Sequence, residues 1–324
     1  MSEHAPAPLV EGITAAIVGA RDFGPHLGFF RDRLGYEIAA EGVVPAAVAD
    51  ALWGTGPVDV DAVALAAAGA GTGRIHLVRV PEPIAPAERP HNLDVGLIGI
   101  DMYAKDIEIA HERFAEAGID WSTPPATYGV AVGGDKEVQV TQGVCPAPDG
   151  TAVVFVQPAA VRGTAAWEAD PGRLYTELTS VVCHVPDADA EIAFWGPDGL
   201  GMSVWYDVVF SSPGFDTVAG LPSGTRMRLA FLAGEKTARI EVTSAEGEHR
   251  VDRRPHQRPG RTLGHSGWTV RTRDLGAALE SVRRTGGGLA GDPVETDDPL
   301  HGKAAVASAT TPNGVSVTLY EPRG

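Results

Sequence analysis

Glu241 and His265 are the two residues of this chain whose types best suit proton chemistry, and both lie in strand-like runs (RIEVTS and GHSGWTV). A carboxyl raised by burial and an imidazole near neutrality, sharing a cleft partly shielded from water, would form an acid/base pair. Such a pair suits proton transfer next to a carbonyl, hence epimerisation, isomerisation or elimination. The plainer alternative has Glu241 paired with Arg239 or another arginine on a solvated face. Arg226, Arg228 and Arg239 could bind a substrate carboxylate by forked contacts, or be ordinary surface charge. Trp205, Tyr206 and Trp268 could stack on an aromatic ligand or simply pack in a core. His184, beside Cys183 in a strand, reads as a structural histidine. Cys145 in GVCPAPDG has no evident base beside it and is not a promising nucleophile. The glycine runs 69–73 and 286–288 lack the following Lys-Ser/Thr of a phosphate loop.

The elements that must hold these residues recur along the chain. Segment 96–118 aligns without gaps on 264–286, 73–80 on 238–245, 148–158 on 312–322, and 13–22 on 178–187. The near-constant offset marks a duplicated module of roughly 160 residues. Residues 1–160 form the first module and 174–324 the second, joined through VRGTAAWEADPG. Each module divides into two halves reading strand, Asp, helix, then about three strands. The helical pattern stops at glycine in IEIAHERFAEAG and LGAALESVRRTGG. Helices segregated from mostly antiparallel strands make an α+β fold.

Those pieces resemble the vicinal oxygen chelate superfamily, which includes glyoxalase I, extradiol dioxygenases, methylmalonyl-CoA epimerase and bleomycin-resistance proteins. The resemblance rests on Phe29, Phe30, Leu34 and Gly35 and again Phe194, Trp195, Leu200 and Gly201. It rests also on Arg239–Glu241 and on the Pro-Asp/Asn-Gly turns at 148–150 and 312–314. It implies four βαβββ units forming two vicinal-oxygen-chelate modules, with strands curled round a cleft and metal ligands projecting from four strands.

Counting strand residues in twos predicts which face that cleft. In the second module the face carries Ser180, Val182 and His184; Arg239, Glu241 and Thr243; His265, Gly267 and Thr269; and Ser316, Thr318 and Tyr320. In the first it carries Ala15, Ile17 and Gly19; Arg74, His76 and Val78; Leu97, Gly99 and Asp101; and Ala152, Val154 and Val156. The second face is the more polar. The active cleft is therefore expected in the second module, with the first mainly scaffold.

The resemblance asks for His, Glu or Gln at four strand positions, and the second module offers Glu241 and His265. Extra residues before Asp274 leave open that Gly267 stands at the ligand position instead. The expected cofactor is thus none, or one weakly held divalent metal ion at Glu241 and His265. Glu241 and His265 are the expected catalytic residues, with Ser180, Arg239, Thr318 and Tyr320 binding substrate.

The reading is a small-molecule enzyme of lyase, isomerase/epimerase or dioxygenase type, acting on a carbonyl-, carboxylate- or phenol-bearing metabolite. The alternative is a metal-free binding or drug-sequestering protein. Net charge −16, from 42 acidic against 26 basic residues, argues against nucleic acid or anionic membrane as a partner. The expected partner is a small-molecule ligand, with a homo-oligomer open. Without an apolar leader or membrane-length apolar run, the expected location is cytoplasmic.

Overall fold

The computed structural model describes residues 8–131, 137–159, 163–236, 238–247 and 249–324. Its elements follow the fourfold rhythm of the sequence. The first unit comprises β1 (Val10–Ala20), α1 (Phe23–Leu27), β2 (Glu37–Val44), α2 (Ala46–Trp53), β3 (Val60–Ala66) and β4 (Arg74–Arg79). The second comprises β5 (Gly96–Ala104), α3 (Ile107–Glu116), β6 (Thr123–Ala131), β7 (Glu137–Pro146) and β8 (Ala152–Gln157). Helix α4 (Ala165–Ala169) precedes the third unit: β9 (Tyr175–His184), α5 (Ala188–Trp195), β10 (Ser203–Phe210), α6 (Pro213–Ala219), β11 (Met227–Ala233) and β12 (Arg239–Ala245). The fourth is β13 (Gly264–Thr272), α7 (Leu275–Arg284), β14 (Gly288–Leu289), β15 (Val294–Asp298), β16 (Gly302–Thr310) and β17 (Ser316–Pro322).

The aspartate that closes the first strand of every unit is a helix cap. Asp22, Asp106, Asp187 and Asp274 each accept a backbone N–H from the first turn of α1, α3, α5 and α7. A carboxylate there satisfies a donor that has no partner within the helix and favours the positive end of its dipole. Past the ends of α3 and α7 the chain turns through Gly118 (φ 72°) and Gly286 (φ 84°), a left-handed conformation that a side chain would strain.

The strands form two sheets, and the pairing crosses the duplication. One sheet runs β14-β16-β17-β13-β1-β4-β3-β2, with β15 also on β16; the other runs β10-β11-β12-β9-β5-β8-β7-β6. The first unit therefore joins the fourth through antiparallel β1 and β13, and the second joins the third through β5 and β9. These central strands are almost continuously buried, as strands covered on both faces must be. The backs of both sheets share one core with side chains from the helices, among them Phe29, Phe30, Phe114, Phe194, Trp195 and Val282.

This arrangement corrects the expectation of one cleft within the second module. Each cleft takes one unit from each half of the chain, so the first module supplies half of both. The repeat identifies which units are alike; it carries no information on which are neighbours.

The two clefts are filled differently. In units one and three, an extra short helix sits between the second and third strands. In the first sheet α2 packs Val48, Ala49, Leu52 and Trp53 against Ile17, Ala62, Ala64, Val78, Val306 and Tyr320. That concave face is an apolar core. In the second sheet α6 lies on β6 and β7, with Phe215, Val218 and Ala219 against Tyr128 and Met227. It covers one end and leaves a cavity of about 240 Å³ beside it.

Candidate functional site

Strand register builds the floor of that cavity. Asp101 on β5 stands opposite Ser180 on β9, and Ser180 stands beside Arg239 on parallel β12. Two residues along β12, Glu241 falls on the same face as Arg239. The side chains of Asp101 and Glu241 meet in a hydrogen bond, and Ser180 bonds Asp101 as well. Two carboxylates cannot approach this closely, out of water, while both are ionised. Burial, then the neighbouring Glu241 charge, pushes Asp101 well up from the usual carboxylate range. Burial likewise raises Glu241, while the Asp101 hydrogen bond and the Arg239 charge pull it back. The pair therefore gives up its first proton near neutral pH, keeps the second above it, and titrates as a unit.

Arg239 is held by aromatic rings. Its guanidinium carbon lies 5.8 Å from the ring centre of Tyr103, 5.3 Å from Trp205 and 5.2 Å from Phe231. It donates through Nη2 to the Tyr103 hydroxyl and through Nε to the Thr179 carbonyl. Trp205 stacks on Phe231 with centroids 5.1 Å apart and 20° between planes, and it remains 43% exposed at the cavity wall. Opposite, Tyr128 donates to Gln142 Oε1 at 2.6 Å. Burial and the nearby carboxylates raise the Tyr128 phenol, so it stays protonated. Phe215 of α6 packs edge-on to Tyr128, with centroids 5.5 Å apart. The C-terminal end of α6 is tied by Asn92 Nδ2 donating to the Ala219 carbonyl and His91 Nε2 to that of Gly220.

The structure brings together Ser180, Arg239 and Glu241 and separates them from the other three expected residues. His265 lies on β13 in the other sheet and lines a different cavity, with Gln257, Leu97 and Arg253. A register shift between Ile17 and Val18 puts Gly267 opposite Ile17 on the cleft face and turns His265 to the back with Val18. There its Nε2 accepts from Trp268 Nε1 at 3.1 Å, and burial lowers its pKa to about 3. It is a neutral acceptor and forms no acid/base pair with Glu241. For the same reason Glu241 and His265 cannot share a metal ion. Thr318 and Tyr320, on β17, face the filled first cleft, where Thr318 is paired with Thr269 and Tyr320 packs under α2.

The other residues singled out earlier fall into structural roles. His184 bonds Thr243 Oγ1 and His249 Nδ1 at 3.0 and 3.1 Å. His76 bonds Thr269 Oγ1 and packs at right angles to His301. Arg228 forms a fork on Asp207 and reaches Asp189. Cys145 and Cys183 are buried, which raises both thiols. Sequence reasoning placed Asp101 on the cleft face but passed over it as part of an apolar set. Tyr103, Tyr128, Gln142 and Phe231 were missed. An ionisable residue inside the otherwise apolar strand GLIGIDMYA was the available signal for Asp101.

The donor set can be tested against the metal that the fold implies. The strands that would carry ligands in the second cleft are β5, β8, β9 and β12, which bring Asp101, Val154, Ser180 and Glu241. Those in the first are β1, β4, β13 and β17, which bring Ile17, His76, Gly267 and Thr318. Among the described residues, no group of three or more His, Cys, Asp or Glu is placed to hold an ion. Two carboxyls bonded to each other, a hydroxyl and a valine do not fit a metal centre with three or four protein ligands.

No protein-family model and no curated protein matches this sequence. Solved structures do. A point mutant of glyoxalase I from Zea mays superposes with a TM-score of 0.64 at 16% identity, covering 96% of this chain and 92% of that one. Glyoxalase I from the same plant gives 0.62 at 16% identity, over 96% and 92% of the two chains. A Bacillus subtilis protein provisionally described as a dioxygenase gives 0.62 at 10% identity, over 98% and 87%. The chain thus has the α+β vicinal oxygen chelate fold, with four βαβββ units and the size of a two-module member.

Proposed function

We propose that the protein is a small-molecule enzyme that moves a proton on a ring-bearing carbonyl compound, using Asp101 and Glu241 in the second cleft as its acid/base pair. The observation that carries this is the carboxyl pair itself, buried Asp101 side by side with Glu241 at the floor of a cavity large enough for a small ring compound. The hydrogen bond leaves the proton on Asp101 and the charge on Glu241. A carbonyl seated over the pair would accept the Asp101 proton at oxygen as Glu241 takes the proton from the adjacent carbon. The products are a neutral enol and a pair whose one proton has changed sides. Return of a proton to the other carbon or the other face completes isomerisation or epimerisation. Groups of this kind typically contribute 10²–10⁴-fold in rate. Arg239 holds the pair at a single negative charge, and Ser180 fixes the orientation of Asp101. Because the donor set does not fit a metal centre, no step is assigned to one.

The test is proton exchange in D₂O. Purified protein would be incubated with small aryl ketones, α-hydroxy ketones and 2-oxo acids, and the proton signal next to the carbonyl followed by NMR. Exchange that is lost in Glu241→Gln supports the reading. The aromatic lining also suits a sequestering protein, and tight binding of the ring compounds with no exchange of any of them would establish that instead.

A further inference from the structure

We infer that this cavity selects uncharged ring compounds over carboxylates, and that the Asp101–Glu241 pair sets the selection. The inference rests on the same site as the proposed function but not on its chemistry. Among the described residues lining the cavity and its continuation under α6, Arg239 is the only cation, and Asp101 and Glu241 are the only acids. Two carboxyls in hydrogen-bond contact hold one negative charge between them, and Arg239 supplies one positive charge. The lining is therefore electrically neutral before a ligand enters.

One fork of the arginine is also occupied. Three rings surround its guanidinium, and two of its N–H donors go to Tyr103 and Thr179. The side-on fork that recognises a carboxylate uses Nε and Nη2, the two nitrogens already engaged here. A ligand head reaching the floor instead meets the carboxyl pair, which repels an anion and hydrogen-bonds a neutral oxygen. The ring of the ligand finds Trp205, Tyr206 and Phe231 on one wall and Phe215 with Tyr128 on the other.

Replacing either carboxyl alone leaves the other free to carry the charge, so the lining turns positive only in Asp101→Asn/Glu241→Gln, which leaves Arg239 unmatched. The selection then inverts without any change in shape. The experiment is calorimetric titration at pH 7.5 of matched pairs: benzamide against benzoate, and 4-hydroxyacetophenone against 4-hydroxybenzoate. For the native protein the neutral member of each pair binds at least about tenfold more tightly, the discrimination worth 1.4 kcal/mol. In Asp101→Asn/Glu241→Gln the carboxylate gains at least that factor and becomes the better ligand. Either single variant, which keeps one ionisable carboxyl, retains the native order; Arg239→Gln, which leaves the charge of the pair unmatched, widens it at least about twofold and serves if the double variant is not folded by circular dichroism. Tighter binding of carboxylates by the native protein overturns the inference. So does an unchanged order in the double variant, an inverted order in either single variant, an unaltered margin in Arg239→Gln, or failure of every probe to bind at millimolar concentration. Charge selection without proton exchange would leave this inference standing and remove the acid/base reading; exchange without selection would do the reverse.

Discussion

At the scale of residues, Asp101 and Glu241 concentrate both the chemistry and a cost in stability. Each carboxyl has its pKa raised on folding, by burial first. The folded chain then binds more protons than the unfolded chain wherever the pH lies above the unfolded values, near 4. Stability that is complete below those values is lost as the pH rises through the folded ones. The variant Asp101→Asn/Glu241→Gln lacks this linkage. Compared by urea unfolding between pH 5 and pH 8, the native protein should lose stability relative to the variant; parallel curves would show that the pair does not share its proton. Either single change should lower turnover by about 10²–10⁴-fold in the exchange assay. Glu241 was legible because RIEVTS repeats in the first half as RIHLVR. His265 was misplaced because period-two counting fails across an irregular register, and nothing in GHSGWT announces the shift between Ile17 and Val18.

At the scale of elements, α2 and α6 decide which cleft is a site. Both are short insertions between the second and third strands of a unit, one in each half of the chain. Helix α2 drives Leu52 and Trp53 into the first cleft, and each large apolar side chain so buried contributes about 1.5–3 kcal/mol. Trp53→Ala should therefore lower stability by about 3–5 kcal/mol in urea unfolding while ligand binding in the second cleft is unchanged. Helix α6 stops short, and its Phe215 forms the edge of the cavity. Phe215→Ala should weaken binding of aryl ketones severalfold in calorimetric titration, with a stability loss smaller than that of Trp53→Ala. Equal binding by Phe215→Ala and the native protein would mean that α6 is only a cover. Helices α3 and α7 were plain in the sequence, because apolar spacing, an Asp cap and a terminal glycine agree. Helices α2 and α6 span 8 and 7 residues, too short for periodicity to separate them from the strands on either side.

At the scale of the whole molecule, duplication was readable and neighbourhood was not. Sequence similarity pairs unit one with three and two with four; the sheets pair one with four and two with three. The correct fold was reached together with the wrong cleft, since identical units can be joined in more than one way and only burial of the strand edges selects among them. Residues 1–160 alone would expose the inner edges of β1 and β5, long buried strands that need a partner. That fragment should be aggregated or self-associated by light scattering, as should residues 174–324. A folded monomer from either would mean that the crossed pairing is dispensable.

The β1–β13 and β5–β9 seams give the protein a subunit boundary without subunits. If the backbone were severed between β8 and α4, the two pieces should stay together through those ladders, each completing the other as a permanent heterodimer would. Trp268 and Val181, which read as ordinary interior positions, would then behave as interface hot spots. Substitutions there would be felt as dissociation in the severed protein and as mere softening in the intact one, where the tether keeps the halves at high local concentration.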